Sequence, residues 1–204
     1  MFNYKFFYRL AKIISLFSFC LIKFSKIFLK KEFFDLLKLS YLHVSQNSFD
    51  SNYKKNGINF FCSNKTLLSR AIRLKSKEPD LIFWIDNFFK DNEIIYDIGA
   101  NVGTYSLYAA KNFNLKVYAF EPEINNYSIL SKNIILNNFQ KKIIPISIGL
   151  TNQDDLSFKK LYLSSETPGK SNHQISMEQN KNLLYQNILS TSLNHLIDIN
   201  LIEQ

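Results

Sequence analysis

Cysteine and histidine are scarce in this 204-residue chain, and neither type clusters. Cys20 and Cys62 stand 42 residues apart, and His43, His173 and His195 are scattered, so neither a disulfide framework nor metal-ligand spacing is present. No metal is expected, and a reducing, cytoplasmic setting is the default. Acidic residues are missing from the first 31 positions, which hold seven Lys or Arg, whereas the remainder carries 18 basic and 17 acidic residues. A nearly neutral body gives no charge-based reason to expect nucleic acid, and none is expected as a partner. Long apolar runs are missing too. The longest uncharged stretch near the N-terminus, Ile13 to Ile22, has ten residues. As a helix it would reach about 15 Å, half a bilayer core. No small-residue cleavage site follows it, which argues against a cleaved signal peptide.

What is present suffices for a packed core: 46% of residues are hydrophobic and 15% aromatic. The length suits one domain with an extension. Lys outnumbers Arg 22 to 3 and Asn, Ile and Phe are abundant, a bias of A+T-rich coding in which a single Lys or Asn carries little information. Residues 1–40 read as a basic helical extension. In a helix, Lys5, Arg9, Lys12, Lys23, Lys26 and Lys30 fall within one sector of about 100°, interrupted by Leu16 and Phe19. Such a helix suits either an anionic interface, giving peripheral contact at the inner membrane face through residues 1–31, or packing on its own domain. Residues 41–75 read as a connector with turn formers, including Asn56-Gly57, and one short strand near Ile58 to Cys62.

Residues 76–204 have the rhythm of an α/β domain. A helix is expected from Glu78 to Phe89, with Pro79 in its first turn and Leu81, Ile82, Trp84, Ile85, Phe88 and Phe89 apolar. Ile94 to Ile98 reads as a buried parallel strand, Thr104 to Asn112 as a helix, and Lys116 to Phe120 as a second strand. A helix over Asn125 to Asn138 should turn Tyr127, Leu130, Ile134 and Ile135 inward, before a third strand over Lys142 to Ile148. This βαβαβ succession implies a doubly wound parallel sheet. Leu156 to Leu163 alternates like a strand, and Leu183 to Ile202 reads as helical with a break near Ser190.

The chemistry concentrates at Asp97-Ile98-Gly99-Ala100-Asn101-Val102-Gly103, a strand-to-helix turn, and at Glu121, which ends the next strand 22 residues after Gly99. Glycine lets backbone approach a ligand closely, and a helix N-terminus offers free N–H groups. An acid at the end of the second strand can accept the hydroxyls of a ribose. A dinucleotide fingerprint would need glycine at 101 and 104, where Asn101 and Thr104 stand, and no P-loop lysine follows. S-adenosylmethionine carries no phosphate and needs neither.

The D-x-G-A-N-x-G run, together with Phe120-Glu121-Pro122, resembles the FkbM-type S-adenosylmethionine-dependent methyltransferases. Lys77-Glu78-Pro79 with Trp84-Ile85, Asn133 with Asn137-Asn138, and Thr191-Ser192-Leu193-Asn194-His195-Leu196 resemble the same family. The resemblance implies a Rossmann-like class I methyltransferase fold with an N-terminal helical extension, and S-adenosyl-L-methionine as cofactor. Asp97, Gly99, Ala100, Asn101 and Gly103 would hold its methionine end, Glu121 its ribose, and the stretch from Ser147 to Gly149 its adenine. The acceptor would be a small molecule or glycan, or a lipid-linked one, methylated on oxygen; no catalytic residue is implied. The family's later K-I-D-x-E-G strand has no counterpart before Gln204, so the parallel sheet is expected to be incomplete, the first strand an exposed edge, and the chain a fragment. A non-catalytic remnant that binds a membrane or partner, and a nucleotide-dependent oxidoreductase, are the alternatives.

Overall fold

The computed structural model describes residues 13, 16, 17, 20, 52–171, 173–176 and 184–204. The chain divides into two compact units, Met1–Asp50 and Ser51–Gln204. Of the first, Ile13, Leu16, Phe17 and Cys20 are described, all helical and exposed. The rest of the extension expected over 1–40, and with it the membrane contact, lies outside the described residues. No helix among the described residues is long and apolar enough to cross a membrane.

In the second unit, Asn56 and Gly57 adopt positive φ values of 52° and 76° and join β1 (Asn52–Lys55) to β2 (Ile58–Phe61) as an antiparallel hairpin. Helix α1 (Lys65–Ile72) follows, capped by Asn64, whose side-chain oxygen accepts the Leu67 N–H at 2.9 Å. Within the stretch expected as a connector, residues 52–72 thus hold this hairpin and helix. The hairpin is held by two asparagines of a later helix: Asn137 Oδ1 accepts the Asn59 N–H at 2.8 Å, and Asn133 Oδ1 accepts the Phe61 N–H at 2.7 Å.

Helix α2 (Pro79–Phe88) leads into β3 (Ile94–Ile98), α3 (Thr104–Asn112), β4 (Lys116–Phe120), α4 (Ile124–Leu136) and β5 (Ile143–Ile146). The three strands form a parallel sheet with β4 in the middle. The period-two alternation of β4 divides the core. Val117 and Ala119 pack with Leu107, Leu130 and Ile134, whereas Tyr118 and Phe120 pack with Leu196 and Ile202 on the other face. Pro145 sits in β5, an edge strand, where its missing N–H is tolerated. The other edge is β3, which has no second partner among the described residues. Its residues are half-buried and Ile98 is 62% exposed, unlike the fully buried strand suggested by its apolar run. This is an α/β, Rossmann-like arrangement with a three-stranded parallel sheet among the described residues.

A second sheet follows, built from β6 (Gly149–Leu150), β7 (Ser157–Tyr162), β8 (Gln174–Ser176) and β9 (Tyr185–Thr191) in the order β6-β9-β7-β8. The helix expected over Leu183 to Ile202 is corrected here. Its first half is β9, paired along β7 from Tyr185 to Ser190, and only α5 (Leu193–Asp198) is helical. Tertiary pairing overrides a local pattern that fits either period. The division at Ser190 shifts to Ser192, whose hydroxyl accepts the His195 N–H and caps α5. In α4, Ile135 points outward at 60% exposure, while Asn126 and Asn133 are buried with both the amide oxygen and the amide nitrogen of each hydrogen-bonded.

Leu130 is completely buried and touches the glycine turn that precedes α3. Leu130→Ala should lower stability by about 2–5 kcal/mol. Ile135→Ala, on the exposed side of the same helix, should cost less than about 1 kcal/mol. Urea unfolding of the two variants checks the assignment of the inner face; equal losses would contradict it.

Candidate cofactor site

The turn after β3 hangs on the end of β4: the N–H groups of Gly99 and Ala100 both donate to the Phe120 carbonyl at 2.9 Å. Three of its residues, Gly99 (φ 78°), Asn101 (φ 53°) and Gly103 (φ 79°), are in the left-handed region. The two glycines serve different ends. A Cβ on Gly103 would lie 2.5 Å from Leu130 Cδ1, so this glycine lets α3 approach α4. A Cβ on Gly99 would meet nothing within 4 Å, so its bare face opens on free space.

Glu121, at the end of β4, is only 5% exposed. One carboxylate oxygen accepts the Asn101 N–H at 2.8 Å and the other the Glu123 N–H at 2.9 Å, with the Asn126 side chain as a further donor. Burial pushes its pKa up, and these hydrogen bonds work against that rise. Glu123 caps α4, accepting the N–H groups of Asn125 and Asn126 at 3.0 and 2.7 Å. Asp97 faces the other way. Its carboxyl accepts the hydroxyl and the backbone N–H of Ser106, tying β3 to the first turn of α3, and burial raises its pKa as well. It borders a separate apolar cavity of about 250 Å³ between α2, α3 and β3, with Trp84, Ile85 and Tyr105.

A cleft of about 220 Å³ lies at the carboxyl ends of β3 and β4, where open α/β sheets bind ligands. Its floor is Gly99, Asn101, Phe120, Glu121 and Pro122; its walls are Ile148, Gly149 and Leu150 on one side, and Leu161, Ser171, His173 and Ile175 on the other. Of the residues singled out from the sequence, Gly99, Asn101 and Glu121 meet in this cleft. Ala100 and Gly103 shape the turn behind it, Asp97 lines the neighbouring cavity, and Ser147 is exposed outside the lining, with the next three residues in its stead. Leu161, Ser171, His173 and Ile175 were not anticipated; they come from the second sheet and its loop, and no local pattern links them to the glycine turn.

That loop is strapped across the turn. The Asn101 side-chain N–H donates to the Lys170 carbonyl at 2.7 Å, and its own oxygen accepts the Val102 N–H at 3.0 Å. Asn126, fully buried, accepts the Gly169 N–H at 2.7 Å and donates to the Lys170 carbonyl at 3.2 Å. The far end is anchored on α1, where Arg70 Nε donates to the Gly169 carbonyl at 2.5 Å and Asn64 donates to that of Pro168 at 3.2 Å.

S-adenosylmethionine can be tested against this lining. Of the roughly four lone pairs on the Glu121 carboxylate, two accept backbone N–H groups and one the Asn126 side chain, which leaves one for a ribose hydroxyl. The bare face of Gly99 provides close backbone approach, and Ile148, Leu150, Leu161 and Ile175 offer an apolar slot. No Lys or Arg lines the cleft. The donor set fits a phosphate-free nucleoside and not a pyrophosphate. Among the described residues no cluster of three His, Cys, Asp or Glu could hold a metal ion.

No family model matches the chain. The methyltransferase sdnD of Sordaria araneosa is 38% identical over 61 residues, 29% of this chain and 24% of that protein. The hexuronic acid methyltransferase AglP of Haloferax volcanii is 26% identical over 102 residues, 50% of this chain and 39% of that protein. The chain thus spans well under half the length of the curated relatives it matches. Among solved structures, the tRNA m1G37 methyltransferase of M. jannaschii aligns with a TM-score of 0.35 and 23% identity, over 50% of this chain and 34% of that one. These partial similarities are to methyltransferases.

Two expectations are corrected by these findings. The FkbM-type assignment is withdrawn: no family model supports it, and the structural neighbours are class I methyltransferases of the Trm5 and TYW2 kind. The exclusion of nucleic acid is withdrawn as well, because a tRNA methyltransferase and a Trm5–tRNALeu complex are among those neighbours. A near-neutral average charge does not exclude a local cationic surface.

The raised pKa values give a signed pH dependence. Asp97 and Glu121 hold their protons to higher pH in the folded than in the unfolded chain, so the folded state binds more protons above the ordinary carboxylate range. Their contribution to stability is complete below the unfolded pKa and is lost as pH rises through the folded values. Asp97→Asn removes one of these groups. The stability of the parent relative to this variant should fall as pH rises above about 4, the ordinary range of an unfolded Asp, read from urea midpoints. Parallel profiles would show that Asp97 titrates alike in both states.

Proposed function

We propose that this chain is the cofactor-binding part of an S-adenosylmethionine-dependent methyltransferase that methylates an oxygen of a glycan or lipid-linked acceptor. The observation that carries the cofactor reading is the meeting of Glu121, the open face of Gly99 and an apolar wall in one cleft free of Lys and Arg. The cofactor would supply an electrophilic methyl group on its sulfonium. In this reading Glu121 accepts a ribose hydroxyl and Gly99 lets the methionine end lie against backbone, while Ile148 to Leu150, beside Ser147, flank the adenine. Asp97, Ala100, Asn101 and Gly103 hold the turn in the shape this requires. The partial similarity to a hexuronic acid methyltransferase supports a sugar acceptor. Transfer of this kind depends chiefly on holding the acceptor in line with the methyl group. A dinucleotide oxidoreductase is disfavoured, since Asn101 and Thr104 stand where its pyrophosphate cradle needs glycine.

S-adenosylhomocysteine should bind the 204-residue chain in a calorimetric titration. Glu121→Ala should weaken it roughly tenfold to a hundredfold, the effect of losing a charged acceptor. Glu121→Gln, which retains one acceptor for the turn, should weaken it less and separates ligand contact from misfolding. Binding of NADH with no heat from S-adenosylhomocysteine would overturn the assignment.

A further inference from the structure

On the far side of the strap from the cofactor cleft lies a groove of about 440 Å³ between α1 and residues 169–171. Five cations line it: Lys65, Arg70, Arg73, Lys77 and Lys170, and no carboxylate does. The unit that contains it, residues 51–204, has 17 basic and 14 acidic residues, so the groove gathers almost a third of the unit's cations. Only three arginines occur in the chain, and two of them are here. Helical spacing explains how: Lys65, Ser69 and Arg73 recur every four residues on one face of α1 and its C-cap.

The cations are incompletely neutralised. Lys77 pairs with Glu78 at 2.9 Å, outside the lining. Arg70 is half-buried and uses Nε on the Gly169 carbonyl, leaving four terminal N–H donors with no partner among the described residues. Burial and the neighbouring Arg73 both press against its charge; Tyr105, Glu78 and Glu121 support it. Two guanidinium groups held near each other in a partly dry groove are relieved by an anion between them. Ser171 lines both this groove and the cofactor cleft, so a ligand seated in one lies next to the other.

We infer that the groove is an oxyanion-binding site that holds a phosphate or carboxylate group carried by the acceptor, beside the cofactor cleft. The inference rests on the methyltransferase reading for the word acceptor alone; the oxyanion chemistry stands without it. A compact anionic group is favoured over a polynucleotide because the cations converge on one small groove, whereas a nucleic-acid track spreads them along a face.

The test uses the full 204-residue chain with D-glucuronate, inorganic phosphate, D-glucose and a single-stranded RNA oligonucleotide as probes. Glucuronate or phosphate, whichever source the groove prefers, should bind saturably while glucose does not. Arg73→Gln and Lys65→Gln, which break no hydrogen bond among the described residues, should each weaken the anion about tenfold or more without moving the affinity for S-adenosylhomocysteine. No saturable anion binding, or binding unchanged in both variants, overturns the site even if S-adenosylhomocysteine binds. Anion binding lost in the variants while S-adenosylhomocysteine fails to bind keeps the groove and sinks the methyltransferase reading. RNA binding tighter than either small anion, with a log–log salt slope steeper than about −2, overturns the compact ligand in favour of a polynucleotide.

Discussion

A carboxylate removed from water at the end of a central strand has to be surrounded by donors, and the geometry around Glu121 follows from that requirement. The Asn101 N–H can reach one of its oxygens because Asn101 takes a left-handed conformation, which bends the turn after β3 towards β4. The Glu123 N–H reaches the other because the chain reverses at Pro122 before entering α4. Strand β4, the glycine turn and the start of α4 are thereby fixed around one side chain. The cleft is what remains between them and the second sheet.

Asparagine carries much of the remaining work, in a chain where its abundance looks like mere compositional bias. Asn126 joins the shell of Glu121 to the strap at Gly169 and Lys170. Asn133 links the Val102 carbonyl to the Phe61 N–H, and Asn137 holds both backbone groups of Asn59. Each presents a donor and an acceptor on one short side chain, which suits it to stitch backbone segments that no ladder joins. Asn126 and Asn133 sit on the inner side of α4, where an apolar count would place Ile135 instead.

The stretch from residue 79 to 146 was legible because each element there is defined locally. Pro79 opens α2, the apolar runs of β3 and β4 end at a glycine and at Glu121-Pro122, and the helix bounds of α3 follow from its flanking turns. Beyond residue 146 the alternation of Leu156 to Leu163 still marks β7, but β9 is not defined locally. Tyr185 to Thr191 has apolar residues at spacings compatible with either period, and only pairing to β7, some 30 residues earlier, makes it a strand. The same non-locality hid His173, Ser171 and Ile175 from the candidate site. Glu121 and Gly99 were legible because backbone conformation and strand ends constrain residue type. Which cavity Asp97 would face was not, since that depends on Ser106 two turns of chain away.

The strap makes the far wall of the cleft depend on elements upstream of the Rossmann pattern. A Cβ on Gly169 (φ 88°) would lie 2.9 Å from Leu67 Cδ2 and 3.1 Å from Thr66 Cγ2, so the strap rests directly on α1. Arg70 and Asn64 hold it there by its carbonyls, while Asn101 and Asn126 pull from the opposite side. Helix α1 is in turn positioned by the hairpin, which α4 grips through Asn133 and Asn137. Helix α1 and its cap thus hold the segment that leads to Ser171, one of the residues lining the cleft. The strap joins the cationic face of α1 on one side to the wall of the cleft on the other through hydrogen bonds to the carbonyls of Pro168, Gly169 and Lys170.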